Sequence, residues 1–79
     1  FVKVEQRLAR QLLNTASPQG IVTHTHQDIA VAIGSAREVV SRRLEMLAKQ
    51  GLLTQERGQI TILNSQGLKQ AAGDSFQGL

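Results

Sequence analysis

Thr25-His26-Gln27-Asp28-Ile29-Ala30-Val31-Ala32-Ile33-Gly34, followed at once by Ser35-Ala36-Arg37-Glu38-Val39-Val40-Ser41-Arg42-Arg43-Leu44-Glu45-Met46-Leu47-Ala48-Lys49-Gln50-Gly51, is the stretch that decides the fold of this 79-residue chain. In Thr25-x-x-Asp28 a hydroxyl can take an orphan backbone N–H while the acid three residues on reaches back, the reciprocal pattern that starts helices. A helix is therefore predicted from His26, with Ile29, Ala32 and Ile33 as its apolar face. Gly34 ends it, because glycine takes the left-handed conformation at no steric cost. Ser35-x-x-Glu38 repeats the capping pattern immediately and predicts a longer helix over residues 36–50, closed by Gly51. A short helix, a tight turn at a glycine and a longer helix make a helix-turn-helix, whose second helix is held against the first and offered to DNA.

At about 100° per residue, Ala36, Val40, Arg43, Leu44 and Leu47 fall on one side of that second helix, and Arg37, Glu38, Ser41, Arg42 and Glu45 fall on the other. The outward set suits base edges: Arg donates twice to guanine, Glu accepts from cytosine N4, and Ser adapts to either. Each residue also has a plainer role. Glu38 can serve as the N3 partner of a Ser35 cap, and Arg42 can pair with Glu38 at i,i+4. Arg43 lies at the edge of the packed face, as a boundary residue or a cation facing phosphate.

Outward from the motif, Val4, Leu8, Ala9, Leu12, Leu13 and Ala16 recur at helical spacing and predict a first helix from near residue 2 to 16, stopped by Ser17-Pro18-Gln19-Gly20. Ile21-Val22-Thr23 is a short β-prone piece that needs a later partner. On the other side, Leu52–Glu56 and Gln59–Leu63 are β-prone segments joined across Arg57-Gly58, which reads as a hairpin with a cation at its tip, placed to meet a phosphate. Ser65 is the expected cap of a short last helix carrying Leu68, Ala71 and Ala72 up to Gly73, and residues 74–79 read as a frayed tail. The expected architecture is mainly α with a small β-hairpin wing, a winged helix-turn-helix over residues 1–73.

Composition bounds the function. One domain of this size cannot enclose both a core and a deep substrate cavity. The absence of cysteine excludes disulfide frameworks and thiolate metal sites, and Phe1 and Phe76 are the only aromatics, so the core is aliphatic. A net charge of +3 admits an anionic partner. His24, His26 and Asp28 alternate, but the cap at Thr25 breaks the alignment that three metal ligands need, so no metal is expected. No Ser-His-acid or phosphate-loop pattern occurs, so no enzyme is expected. There is neither a signal peptide nor a membrane span, which suits the cytoplasm. The chain opens at Phe1 directly on an amphipathic pattern, as a piece cut from a longer protein would.

Gly34-Ser35-x-Arg37-Glu38-x-x-Ser41-Arg42, Leu44-x-x-Leu47-x-x-x-Gly51-Leu52-Leu53 and the wing segment Ile60-Thr61-Ile62 resemble the C-terminal DNA-binding domain of the bacterial cyclic-AMP receptor and fumarate-nitrate regulator (Crp/Fnr) family, over about residues 1–73. The resemblance implies a transcription regulator that binds a palindromic duplex operator as a homodimer. Its β-roll sensor and dimer helix would lie upstream of Phe1, so no cofactor is expected in this chain, and RNA polymerase is a candidate partner. It implies a half-site containing TGA, with Glu38 and Arg42 on the G·C pair and Thr25, Gln27 and Ser35 near phosphates. His26 stands where one branch has a basic phosphate contact. Arg37 matches the branch that reads TGTGA, whereas the Ser41 hydroxyl is typical of the branch that reads TTGAT. The competing reading, a winged helix used for protein docking or dimerisation, expects apolar residues where Arg37, Glu38, Ser41 and Arg42 stand.

Overall fold

The computed structural model describes residues 3–73; the expected tail over 74–79 lies outside them. The elements are α1 (Val4–Thr15), β1 (Ile21–Val22), α2 (His26–Ile33), α3 (Arg37–Lys49), β2 (Leu53–Glu56), β3 (Gln59–Ile62) and α4 (Ser65–Ala71). The first helix is shorter than its apolar spacing suggests. Ala16 is already extended, because the turn over Ser17-Pro18-Gln19-Gly20 is closed by its own bonds, Ser17 N–H to Ile21 O at 2.9 Å and Gly20 N–H to Ser17 O at 2.8 Å.

That turn delivers β1 to the sheet. β3 is the central strand, paired antiparallel with β1 (Val22 opposite Ile60) and with β2 (Glu56 opposite Gln59 across the Arg57-Gly58 turn). The wing is thus a hairpin braced along the middle of β3 by a third strand. Val22, Leu53 and Ile60 turn into a core completed by Leu8 and Leu12 of α1, Ile29 of α2, Val40, Leu44 and Leu47 of α3, and Leu68 of α4. Burying each such side chain contributes about 1.5–3 kcal/mol, and among the described residues the core contains no polar or charged side chain.

Two helix starts differ from the expectation. The Ser35 side chain does not cap α3; Ala36 occupies the N-cap, without a side-chain bond. The reason lies in how α2 ends. Gly34 takes φ 70°, its N–H bonds to Val31 O at 3.3 Å and the Ser35 N–H bonds to Ala30 O at 2.9 Å, the paired closure of a Schellman turn. Ser35 therefore completes the end of α2, and α3 begins one residue later than a Ser35 cap would place it, covering 37–49 rather than 36–50. Ser65 is likewise the first residue of α4 and not its cap; the Asn64 carboxamide accepts the Gly67 N–H at 2.9 Å. The box at Thr25 and Asp28 forms as expected, with Thr25 Oγ1 accepting from Asp28 N–H at 3.0 Å and Asp28 Oδ2 accepting from Thr25 N–H at 3.1 Å. Within α2 the buried set is Ile29, Ala30 and Ile33, while Ala32 faces solvent.

Thr25→Ala is expected to lower unfolding stability by about 1 kcal/mol, the usual worth of a satisfied N-cap. Ser35→Ala, despite its Ser-x-x-Glu context, should stay within about 0.5 kcal/mol of wild type. Chemical denaturation of the two variants checks both values, and equal losses would restore Ser35 as a cap.

Candidate nucleic-acid interface

The outer face of α3 is set by what its inner face buries. With Val40, Leu44 and Leu47 locked into the core, Arg37, Glu38, Arg42 and Glu45 stand exposed on the opposite side. The late start of α3 changes the role of Glu38. It occupies the second helical position instead of the third, with no reciprocal cap to complete, so its carboxylate is not held by Ser35. The i,i+4 pair between Glu38 and Arg42 does not form either: among the described residues the one ion pair is Arg43 Nη1 to Glu5 Oε1 at 3.4 Å. Arg37, Arg42 and Arg57 therefore carry guanidinium groups without a carboxylate partner among the described residues. Arg57 sits on the exposed tip of the wing.

The remaining cations of α1 serve the fold. Arg7 Nη1 donates to Ile33 O at 3.2 Å and Arg10 Nε donates to Ala72 O at 3.1 Å, so two arginines close the C-terminal ends of α2 and α4, where unsatisfied carbonyls concentrate negative charge. Arg43 is half-buried against α1 through Glu5. Ala36, expected on the packed side, is exposed because it caps the helix outside the core.

His26 and Ser41 are brought together. The His26 ring, at the first turn of α2, places Nδ1 2.7 Å from Ser41 Oγ and Nε2 2.8 Å from Gln55 Oε1 of the wing. Ser41 is half-buried for this reason, while its neighbours Arg37, Glu38 and Arg42 are open. Gln55 escaped the sequence reading because nothing local marks it; it lies 29 residues from His26. Beside the ring runs an open groove of about 220 Å³ between the α2 start and the wing, lined by His24, Thr25, His26, Gln55, Glu56 and Gln59 among others. Thr25 is exposed at its α2 end, Gln27 is exposed in the first turn of α2, and Ser35 is half-buried between the two motif helices. Wing order is maintained by Glu56, whose Oε1 accepts from Gln59 Nε2 and Thr61 Oγ1, both at 3.2 Å.

His24, His26 and Asp28 form no metal cluster, and among the described residues no group of three such side chains does. No helix there is long and apolar enough to cross a membrane. Exposed apolar side chains occur at Val31, Met46 and Leu63; Val31 and Leu63 lie off α3, whereas Met46 follows Arg42 by one helical turn and lines a shallow surface hollow with Val39, Arg42 and Arg43.

This geometry agrees with the comparisons with known proteins. A family profile described as the Crp-like helix-turn-helix domain matches residues 6–71. The transcriptional regulator SdrP of Thermus thermophilus is 36% identical over 58 residues, covering 73% of this chain and 29% of SdrP. A crp/fnr-family protein of Eubacterium rectale superposes with a TM-score of 0.85 at 36% identity, over 90% of this chain and 34% of that one. A second Thermus thermophilus protein, a transcriptional regulator of the CRP family, gives 0.82 at 33%, over 90% and 40%. The chain thus spans about a third of the length of these relatives, all of them from bacteria, and those with a stated role are transcriptional regulators and not enzymes.

Thr25 also tunes one acid. Its backbone N–H above all, and then its hydroxyl, hold the Asp28 carboxyl below its ordinary value of 3.8. The charged form is thus favoured by folding, so its stabilisation is present above the ordinary value and is lost as pH falls through the lowered one. Asp28→Asn is expected to melt below wild type at neutral pH, with the gap closing on acidification beneath that lowered value. Melting curves across the acid range check this, and a gap that persisted to the most acidic point would assign the loss to shape instead of charge.

Proposed function

Because the chain belongs to the Crp-like helix-turn-helix family, we propose that it is the DNA-reading domain of a bacterial transcription regulator, with α3 lying in the major groove over a half-site that contains TGA. The observation that carries this reading is the face of α3 opposite Val40, Leu44 and Leu47, where Arg37, Glu38 and Arg42 are exposed and unpaired among the described residues. A free carboxylate between two free guanidinium groups matches the donor and acceptor pattern of a G·C-containing major groove, where Arg takes guanine O6 and N7 and Glu takes cytosine N4. A docking surface for another protein calls for apolar residues at the centre of that face.

Arg42 and Glu38 read the G·C pair of TGA, and Arg37 reads a guanine outside it, which favours a half-site nearer TGTGA. Thr25, Gln27 and Ser35 approach phosphates from the starts of the two motif helices, and Arg57 approaches one from the wing. Arg43 shares its guanidinium with Glu5 and contributes at the rim. The full regulator acts in the cytoplasm as a two-fold homodimer on a palindromic operator, its half-sites about 34 Å apart; effector binding and contact with RNA polymerase belong to the whole protein.

Selection from random duplexes tests the assignment. Arg37→Val should relax the outer G by about 1–3 kcal/mol while leaving the inner TGA preference intact, and Arg42→Ala should lose the inner G. An unchanged half-site from Arg37→Val would remove Arg37 from base reading. Salt titration separates the phosphate contacts: Arg57→Ala should weaken binding to all sequences alike and reduce the slope of log affinity on log salt by about 1. A wild-type affinity that is flat between low and physiological salt would contradict groove docking altogether.

A further inference from the structure

His26 stands where a phosphate contact was expected, yet its ring faces inward to two polar partners on different elements, Ser41 Oγ at 2.7 Å and Gln55 Oε1 at 2.8 Å. A neutral imidazole has one donor and one acceptor nitrogen. Gln55 Oε1 can only accept, so Nε2 carries the proton, Nδ1 offers its lone pair, and the Ser41 hydroxyl hydrogen points at Nδ1. We infer that His26 is a positioning residue that fastens the wing to α3 and takes the Ser41 hydroxyl hydrogen out of base reading.

The consequence for DNA rests on the reading above. With its hydrogen engaged, Ser41 keeps only lone pairs toward the groove, able to accept from adenine N6 or cytosine N4 but unable to donate to guanine O6 and N7 or thymine O4. The two features that pointed to different half-sites, Arg37 and Ser41, then no longer compete as equals, because one of them is turned to an intramolecular partner. Gln55 is the second handle. Its side chain leaves β2 on the groove side, and holding it to His26 sets the distance between the wing and the start of α2. Contacts 15 and 29 residues apart in sequence thereby join α2, α3 and β2 through one ring, so His26 acts on DNA through Ser41 and Gln55 rather than as a ligand of the backbone.

Two measurements on the 79-residue chain test this. The first needs no DNA. Long-range proton–nitrogen correlation spectra of the histidine rings in mildly alkaline buffer should show the His26 proton on Nε2; Ser41→Ala should shift the Nδ1 resonance, Gln55→Leu should shift Nε2, and His24 should respond to neither. A proton on Nδ1, or His26 resonances indifferent to both substitutions, overturns the assignment. The second is binding to a TGTGA-containing duplex. Ser41→Ala and His26→Phe should each weaken binding by about threefold to tenfold, as expected when a hydrogen bond that organises the surface is lost. The double variant should bind like His26→Phe alone, because the two act as one unit. His26→Gln, which keeps a donor and an acceptor, should recover part of the loss, and Ser41→Ala should select the same half-site as wild type. Additive losses, or a half-site changed by Ser41→Ala and not by His26→Phe, would make Ser41 a direct reader and sink the inference. If the wild-type chain showed no TGA preference, the DNA assignment would fail while the ring measurement still decided the contact.

Discussion

The left-handed turn at Gly34 is the constraint from which the rest of the site follows. Only two residues, Ser35 and Ala36, lie between Gly34 and α3, so the direction in which the chain leaves α2 sets the direction in which α3 begins. The closure that fixes it consists of two backbone bonds, from Gly34 and Ser35 back to Val31 and Ala30. A Cβ at position 34 would meet no other atom within 4 Å, so the requirement is conformational and not steric crowding: a side chain at φ 70° costs about 1–2 kcal/mol. The same device recurs at the far end of α3. Gly51 takes φ 79° and the N–H groups of Gly51 and Leu52 return to Ala48 and Leu47 at 3.0 and 3.1 Å. Both ends of α3 are thus bounded by glycine-based reversals, and between them Val40, Leu44 and Leu47 lock its rotation by burial.

Locked rotation is what gives a charge on α3 a defined direction, and it separates the cations into two kinds. Arg7 and Arg10 neutralise the carbonyl ends of α2 and α4, and Arg43 is tethered to Glu5. The solvent-accessible Arg43–Glu5 pair, with Arg43 half-buried and Glu5 exposed, is worth little to stability, since surface pairs typically contribute about 0–1 kcal/mol. Its effect is directional, drawing one arginine of α3 toward α1. A net charge of +3 spread over the chain therefore understates the contrast between a sheltered side and an outer face where Arg37, Arg42 and Arg57 stand open among the described residues. Position and partner, more than total charge, mark the interface.

The elements were legible because their punctuation is chemical. Pro18, Gly20, Gly34, Gly51 and the Arg57-Gly58 pair stand at or beside the breaks between elements, and apolar spacing separates helices from strands. Register was harder. Ser35-x-x-Glu38 has the residues of a capping box, but a box also needs Ser35 to have N-cap backbone geometry, and the closure of α2 had already assigned Ser35 another position. Asn64 displaced Ser65 for a similar reason: two adjacent residues can both cap, and the pairing of Leu63 and Asn64 N–H groups with Leu52 O decides where the chain turns. An eight-residue helix such as α2 contains too few turns to tell Ala30 from Ala32 as the buried position. Base-reading candidates were visible as residue types on one helical face. The link from His26 to Ser41 and Gln55 was not, since its three members come from three elements and no spacing rule joins them.

That link changes what kind of object the wing is. A two-strand hairpin by itself is marginally stable, and one attached only at its base would swing about that base. Here the base is held by the Leu52 carbonyl, which accepts from both Leu63 and Asn64 N–H at 2.9 and 3.1 Å, and β1 pairs with the middle of β3, at Ile60 and Thr61, on its outer side. His26 adds an attachment on the opposite edge of the sheet, at Gln55 of β2, which pairs with the same Ile60 that β1 holds through Val22. Attachment from both edges at one rung limits the swing that one edge alone would allow. The tip, only two residues beyond Gln55 at Arg57, is then carried at a set distance from α3, so that under the proposed DNA reading a cation so placed would meet a phosphate without first having to be ordered. Less conformational freedom would then be lost on binding, so the same hydrogen bonds that hold Ser41 would also favour the phosphate contact proposed for Arg57.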